Sequence, residues 1–101
     1  MWKKVIDELL RIRNLEDDWD REGTEAPYPS LVDRAITLAM DFEALNNPPA
    51  ERVLVSVNGT IYFEWHTPAG YQEIEVTSPR NAESRFVPIG SKSTIVEDFE
   101  F

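Results

Sequence analysis

The feature that most constrains the fold is a change of hydrophobic period at Pro48-Pro49. Before these prolines, apolar residues recur every three or four positions, which is typical of amphipathic helices. After them, apolar and polar residues alternate, which is typical of half-buried strands. A helical half followed by a strand half within 101 residues predicts one α+β domain, 1–101, in which two helices pack on one face of an antiparallel sheet.

The helical half predicts two helices joined by a loop. Residues 2–14 carry an apolar stripe that includes Val5 and Leu9, and residues 31–45 carry a wider apolar arc. Ser30 is the expected N-cap of the second helix. The run Asn46-Asn47-Pro48-Pro49 is the expected stop, because proline cannot continue a helix.

The strand half predicts a meander over 52–89, with strands at 52–57, 60–66 and 71–77 and a weaker one at 83–89. Pro88 favours an edge position or an early end for the last of these. The short connections predict three or four antiparallel strands.

Two turns fix the expected strand register. A three-residue loop ending at Gly59, rather than a two-residue Asn58-Gly59 turn, gathers the apolar residues of the first hairpin on one face. A loop from Thr67 to Gly70 continues that face onto the next strand. The expected core then comprises Val5, Ile6, Leu9, Trp19, Leu31, Ala35, Leu38, Phe42, Val53, Val55, Ile61, Phe63, Trp65, Ile74 and Val76.

The opposite face of the sheet is predicted to carry acidic and aromatic side chains. Its rows are Arg52–Glu64–Glu73 and Leu54–Tyr62–Glu75, with Tyr71 nearby. Glu64 opposite Glu73 is unfavourable without a cation, and we expect Arg52 and Arg85 to supply it. Such a face predicts a docking surface for a partner with exposed Arg or Lys.

Composition narrows the classes of function. The net charge of −9, from 19 acidic and 10 basic residues, argues against direct binding of nucleic acid, which needs clustered cations. It favours a basic protein partner, or imitation of nucleic acid to block a DNA- or RNA-processing enzyme. The plain alternative is a solvated surface that keeps a small protein soluble. Without cysteine, disulfides and thiolate chemistry are excluded. With no signal-like or membrane-spanning run, we expect a cytoplasmic protein without membrane contact.

The loop 15–30 places Trp19 between Asp18 and Asp20. It can be a partner-binding loop, or a structural one in which Trp19 is a buried plug and the two carboxylates bind loop N–H groups. Its acidic spacing is similar to the opening of a calcium loop, but Pro29 stands where the closing glutamate belongs, so we expect no metal.

Catalytic chemistry is poorly supported by the sequence. His66 is the only histidine and lacks a nucleophile motif beside it. A hydrolase using Glu64, Glu73 or Glu75 would need a cleft and an acid with a raised pKa, and a flat meander face provides neither. We therefore expect no enzyme and no cofactor, with a carboxylate-dependent hydrolase as the least favoured hypothesis.

The last segment, 91–101, alternates apolar and acidic residues and contains Phe99 and Phe101. It predicts either a final edge strand or an acidic-aromatic peptide that docks on a basic partner. Edge strands and a semi-apolar sheet face also leave a homodimer open, although the net charge opposes it.

Residues 12–76 resemble a group of small bacterial proteins of unassigned function. The shared pattern is Leu15-x-x-Asp18-Trp19-Asp20-x-x-Gly23, then a proline and a helix, and later Asn58-Gly59 and Glu64-Trp65. Arg21 stands where the group usually has glycine, which puts a special backbone conformation there in question. Small acidic proteins of this type often look like antitoxin or immunity partners. By that association we expect a non-enzymatic protein-interaction module, with Trp19, Asp18, Asp20, Tyr62, Glu64, Tyr71, Glu73, Glu75, Phe99 and Phe101 as its candidate contacts.

Overall fold

A computed structural model, which describes residues 2–101, confirms the α+β class. Its elements are α1 (Lys3–Ile12), α2 (Pro29–Ala44), β1 (Arg52–Val55), β2 (Ile61–Thr67), β3 (Gly70–Val76), β4 (Asn81–Pro88) and β5 (Ile95–Glu100). The strands form one antiparallel sheet in the order β1-β2-β3-β4-β5. The meander therefore has five strands, and the prediction of three or four was too small.

The additional strand is the C-terminal segment. β5 pairs along β4, with Phe99 opposite Ala82, and the Phe101 N–H donates to the Arg80 carbonyl at 2.7 Å. The apolar–acidic alternation of this segment is thus the period of a strand. As a result β4 is an internal strand rather than an edge, and Pro88 is its last residue.

The strand register is the predicted one, but the second turn is shorter than predicted, because Thr67 and Gly70 pair as strand residues and only Pro68 and Ala69 lie between them. Val53 faces Phe63 and Phe63 faces Ile74, so the apolar residues share one side of the sheet. Gly59 has φ 77°, the left-handed conformation that the three-residue loop requires. Gly70 has φ 149°, and a Cβ there would lie 2.2 Å from the Val87 carbonyl oxygen of β4. Only glycine allows β3 and β4 to pair this closely.

The core centres on Trp2 rather than on Trp19. Trp2 is 1% exposed, its ring centroid lies 5.7 Å from that of Phe42 and 6.3 Å from that of Trp65, and its Nε1 donates to the Asn47 carbonyl at 2.8 Å. It lies where α1, the end of α2 and the sheet meet, the space that the prediction assigned to Trp19. Ile6, Phe42, Val53 and Val55 pack around the core only partly buried. The buried apolar residues are Trp2, Val5, Leu9, Ile12, Leu31, Val32, Ala35, Leu38, Ala39, Ala50, Ile61, Phe63, Trp65, Ile74, Val76 and Ala82.

The N-terminus of α2 differs from the prediction, whereas its C-terminus agrees with it. The helix begins at Pro29 with Tyr28 as N-cap, so Ser30 is already helical and is not the cap. Proline suits this first position because its fixed φ is helical and its missing N–H is not needed there. At the other end, Asn46 adopts φ 60° and the Asn47 N–H donates to the Phe42 carbonyl, which closes the helix before the prolines as expected.

The helices cover only part of the sheet. They pack on each other and over β1, β2 and β3, and neither helix backbone reaches β4 or β5. Two surfaces of the sheet are left without a helix. One is the whole face opposite the helices. The other is the helix-side face of β4 and β5 around Phe86 and Ile95, whereas Ala82 at the start of β4 is buried in the core.

Candidate interaction surface

The face of the sheet opposite the helices is called the outer face below. The pairing Arg52–Glu64–Glu73–Arg85–Val96 gives it one cross-strand row, and Leu54–Tyr62–Glu75–Glu83–Asp98 gives it another. These rows contain the predicted ones and extend them onto β4 and β5. The structure therefore brings Tyr62, Glu64, Tyr71, Glu73 and Glu75 together, as the sequence predicted.

Arg85 is the cation that makes this face stable. Its Nε donates to Glu73 at 2.6 Å, one terminal nitrogen donates to Glu75 at 2.9 Å, and the other donates to Glu83. The Arg85 side chain is 23% exposed, so these charge-assisted bonds are partly shielded from water. The guanidinium carbon also lies 5.5 Å from the ring centroid of Tyr62.

Arg52 does not have the role that the sequence predicted for it. Within residues 2–101, it takes part in no ion pair, and its side chain is exposed on the edge strand β1. Glu64 is instead held by Tyr71, whose hydroxyl lies 3.0 Å from an oxygen of Glu64 and 3.0 Å from one of Glu73. A hydroxyl between two carboxylates takes the place of the second cation.

This network shifts the ionisation of its members. Burial raises the pKa of Tyr71, and its hydrogen bonds to Glu73 and Glu64 raise it further. Burial also favours a higher pKa for Glu75, but hydrogen bonds from Thr60 and Arg85 outweigh it, so that the pKa of Glu75 is lowered. The Thr60 hydroxyl donates to Glu75 at 2.7 Å. Glu75 is thus held as a carboxylate.

In the loop 15–30, the carboxylates of Asp18 and Asp20 bind the loop's own backbone. Asp18 accepts from the Gly23 N–H at 2.9 Å, and Asp20 accepts from the Glu22 N–H at 2.9 Å and from the Thr24 hydroxyl. This agrees with the structural reading of both residues. Thr24 is 4% exposed, and with Pro27 it forms the buried part of the loop.

The prediction that Trp19 is a buried plug is wrong, because its side chain is 38% exposed. Trp2 fills the interior instead, and the loop is anchored by the polar contacts of Thr24 and the aspartates. An exposed tryptophan on a well-bonded loop is available for contact, and its role in partner binding stays a prediction.

Arg21 keeps a left-handed backbone, with φ 62°. The left-handed conformation that glycine adopts most readily is therefore present here despite the arginine. Asp18 shares it, with φ 61°, so two non-glycine residues of the loop lie in a region that is costly for side chains with a Cβ.

The two aromatic residues of the C-terminal segment face the helix side of the sheet rather than the outer face. Phe99 packs partly buried against the core. The Phe101 ring lies 5.7 Å from Phe99 and 4.6 Å from the guanidinium carbon of Arg34. These contacts fit the edge-strand reading of the segment.

His66 lies near the end of β2 and is exposed. Its Nδ1 lies 3.0 Å from a carboxylate oxygen of Glu51, which also accepts the His66 backbone N–H. In the part of the chain that the structure describes, no group of three or more His, Cys, Asp or Glu side chains is placed to hold a metal ion.

Sequence reasoning missed two features of the sheet. One is the contact of Arg85 with three glutamates. To predict it, one must know that Glu83, Arg85 and the two glutamates of β3 share one face, and this depends on the register of β4, a strand that the sequence predicted only weakly. The uncovered helix-side face of β4 and β5 was missed because β5 was not counted as a strand.

Comparison with known proteins adds no assignment. No protein-family model matches this chain, and no curated protein or solved structure matches it. Among residues 2–101, no helix combines the length and apolarity needed to cross a membrane.

Proposed function

We propose that this protein is a non-enzymatic protein-interaction module, similar in kind to antitoxin or immunity proteins, that binds a basic partner through the outer face. The observation that carries the proposal is the composition of that face on β2, β3 and β4. It holds four glutamates and one arginine, and the arginine is already bonded to three of the four.

The geometry suits recognition of cations. Glu64, Glu73 and Glu75 are fixed by Tyr71, Arg85 and Thr60, so a partner does not have to order them on binding. The surplus negative charge favours encounter with a basic surface. Leu54 and Val96, 36% and 52% exposed, stand at opposite edges of this face and supply apolar contact area.

The same geometry is less suited to hydrolysis. A general acid needs a raised pKa in an apolar cleft, whereas the pKa of Glu75 is lowered and its oxygens are occupied by Thr60 and Arg85. Surfaces built from interlocked carboxylates favour docking over proton transfer.

The experiment is affinity capture of the tagged protein from its native host at low and high salt, with partners identified by mass spectrometry. Charge reversal at Glu73 or Glu75 would break the hydrogen bonds to Arg85, so that a loss of partner binding could not be distinguished from a loss of folding stability. Leu54→Lys and Val96→Lys place a cation at either edge of the face without touching that network. Val57→Lys, at a 69% exposed position in the β1–β2 turn, is the matched control.

We expect the wild type and Val57→Lys to capture one basic protein in stoichiometric amount. Leu54→Lys and Val96→Lys should each capture less of it. Equal capture by all variants, or no partner at either salt concentration, would contradict the proposal. A nucleic-acid-processing enzyme released as salt rises would instead support the alternative of an acidic nucleic-acid mimic.

A further inference from the structure

The helix-side face of β4 and β5 forms one wall of an apolar cleft, and α2 forms the other. Phe86 and Ile95 face each other across β4 and β5 on this side of the sheet. Where the cleft runs under the end of α2 it deepens into a cavity of about 390 Å³, lined by Phe42, Trp65, Ile74 and Phe86 among others. Below, this region is called the cleft.

Three polar side chains that line the cleft are hydrogen-bonded within the chain, while the amide of Asn47 at its mouth is exposed. Trp65 Nε1 donates to the Pro48 carbonyl at 3.0 Å, the Thr67 hydroxyl to the Gly70 carbonyl at 3.2 Å, and the Gln72 amide to the Ser84 hydroxyl at 2.6 Å. Across residues 2–101, no buried side-chain nitrogen or oxygen lacks a hydrogen-bond partner. The cleft therefore suits apolar side chains better than a polar small molecule.

Both rims of the cleft combine one exposed apolar residue with one carboxylate. Asp41 on α2 and Leu45, the C-cap of that helix, follow Arg34 at helical spacing. Arg34 contacts Pro79 in the turn before β4 and Phe101 after β5, so this stripe lies on the side of α2 nearest β4 and β5. On β5, Ile95 and Glu97 face the same side. Leu45 is 71% and Ile95 51% exposed.

Neither rim carboxylate is neutralised. Within the described part of the chain, Asp41 and Glu97 form no ion pair. The last turn of α2 also contains no basic residue, although that end of a helix carries partial negative charge and is stabilised by cations. A bound segment with Lys or Arg along both flanks would neutralise the two carboxylates and the negative end of the helix.

The width of the cleft matches the diameter of an α-helix. Two neighbouring strands span about 10 Å, close to the diameter of one helix, about 10–12 Å. The two helices of the chain cover three strands and the Ala82–Phe99 end of β4 and β5, so one more helix over the Phe86–Ile95 end would complete the layer. A second copy fits poorly, because two concave clefts do not fill each other and their acidic rims would repel.

We propose that the cleft binds one amphipathic α-helix of the partner, with an apolar stripe on Phe86 and Ile95 and with Lys or Arg on both flanks facing Asp41 and Glu97. This inference rests on the proposed function for the basic character of the partner. β5 is the edge between the cleft and the outer face, so a partner that passes over this edge reaches both surfaces.

The test uses a labelled synthetic peptide of about 18 residues, roughly five helical turns, built from Leu and Lys with leucines at helical spacing. Its control has the same composition with Leu and Lys alternating. Fluorescence anisotropy gives the affinity of each for the full-length protein and for two variants, Ile95→Lys and Val96→Lys. These neighbours on β5 are equally exposed and gain the same charge, but Ile95 faces the cleft and Val96 the outer face.

We expect the helical peptide to bind at least about tenfold more tightly than its control, and Ile95→Lys to weaken it about tenfold, because an anchor contact is lost and a like charge is added. Val96→Lys should change the affinity less than about twofold. Equal losses of affinity in both variants would indicate that charge attraction alone holds the peptide. Equal affinity for the helical peptide and its control would show that the cleft does not select a helix. Either result overturns the proposal. A wild-type dimer that Ile95→Lys converts to a monomer would overturn it in favour of a second copy. Because capture of the native partner tests the outer face with Leu54→Lys, failure of the two proposals can be told apart.

Discussion

At the scale of single residues, the loop before α2 shows most clearly how chemistry and backbone geometry interact. Asp18 and Asp20 close the loop by accepting N–H bonds, and Asp18 itself tolerates a positive φ because short polar side chains do so more readily than others. Arg21 has neither advantage and adopts the same conformation. The loop therefore stores a small strain at Arg21.

Replacing Arg21 by glycine should relieve this strain. We expect Arg21→Gly to raise the free energy of unfolding by about 0.5–1 kcal/mol, measured by urea denaturation with an unchanged dependence on denaturant. Arg21→Ala removes the same side chain but keeps the Cβ, so it should give no gain. Equal effects of the two variants would place the cause in the arginine side chain rather than in its backbone.

The loop also shows how far residue-level reading of the sequence extends. The roles of Asp18 and Asp20 could be predicted, because short acidic side chains bind nearby N–H groups in turns. The exposure of Trp19 could not, since two tryptophans competed for one interior position and only the three-dimensional packing of Trp2 against Phe42 and Trp65 decides between them.

At the scale of elements, the outer face depends on one side chain of β4. Arg85→Met keeps the length of the side chain but leaves Glu73, Glu75 and Glu83 without their common cation. Because the side chains of Arg85, Glu73 and Glu75 are each less than a quarter exposed, we expect a loss of about 2–3 kcal/mol in the free energy of unfolding. Arg13→Met, which breaks the exposed pair with Asp33, is the control and should cost much less, because water screens an exposed pair. Similar losses in both variants would mean that the outer-face network is no stronger than a surface ion pair.

The same network predicts a dependence of stability on pH. The pKa of Glu75 is lower in the folded chain than its ordinary value of 4.5, so its contribution to stability is complete above that value and is lost as pH falls through the folded pKa. Thermal unfolding followed between about pH 6 and pH 3 should therefore show a steeper loss for the wild type than for Glu75→Gln. Parallel curves would show that Glu75 ionises alike in the folded and unfolded chains.

The register of β1, β2 and β3 could be predicted from sequence because a shift of one residue would turn every apolar side chain to solvent. β5 could not be predicted with the same force. Ile95 and Val96 are both half exposed and point to opposite faces, so this strand lacks the one-sided alternation that marks β2. Because the sequence left this segment open between a final edge strand and a docking peptide, the internal position of β4 and the cleft beside it were not predicted.

At the scale of the whole molecule, the fold separates stability from recognition. The helices and the inner faces of β1, β2 and β3 enclose the apolar core, while the outer face and the cleft leave acidic and apolar groups open on either side of β4 and β5. A net charge of −9 opposes association with copies of the same chain and favours basic partners.

The most direct test of the central claim is carboxyl footprinting of the protein alone and in complex with the partner captured from its host. A carbodiimide couples a small amine to accessible carboxylates, and mass spectrometry reads the labelled positions. Binding through the outer face predicts that Glu64, Glu83 and Asp98 lose labelling in the complex, while Glu16 and Glu22 of the loop 15–30 are labelled as before. Protection confined to that loop, with the outer-face glutamates unchanged, would contradict the account.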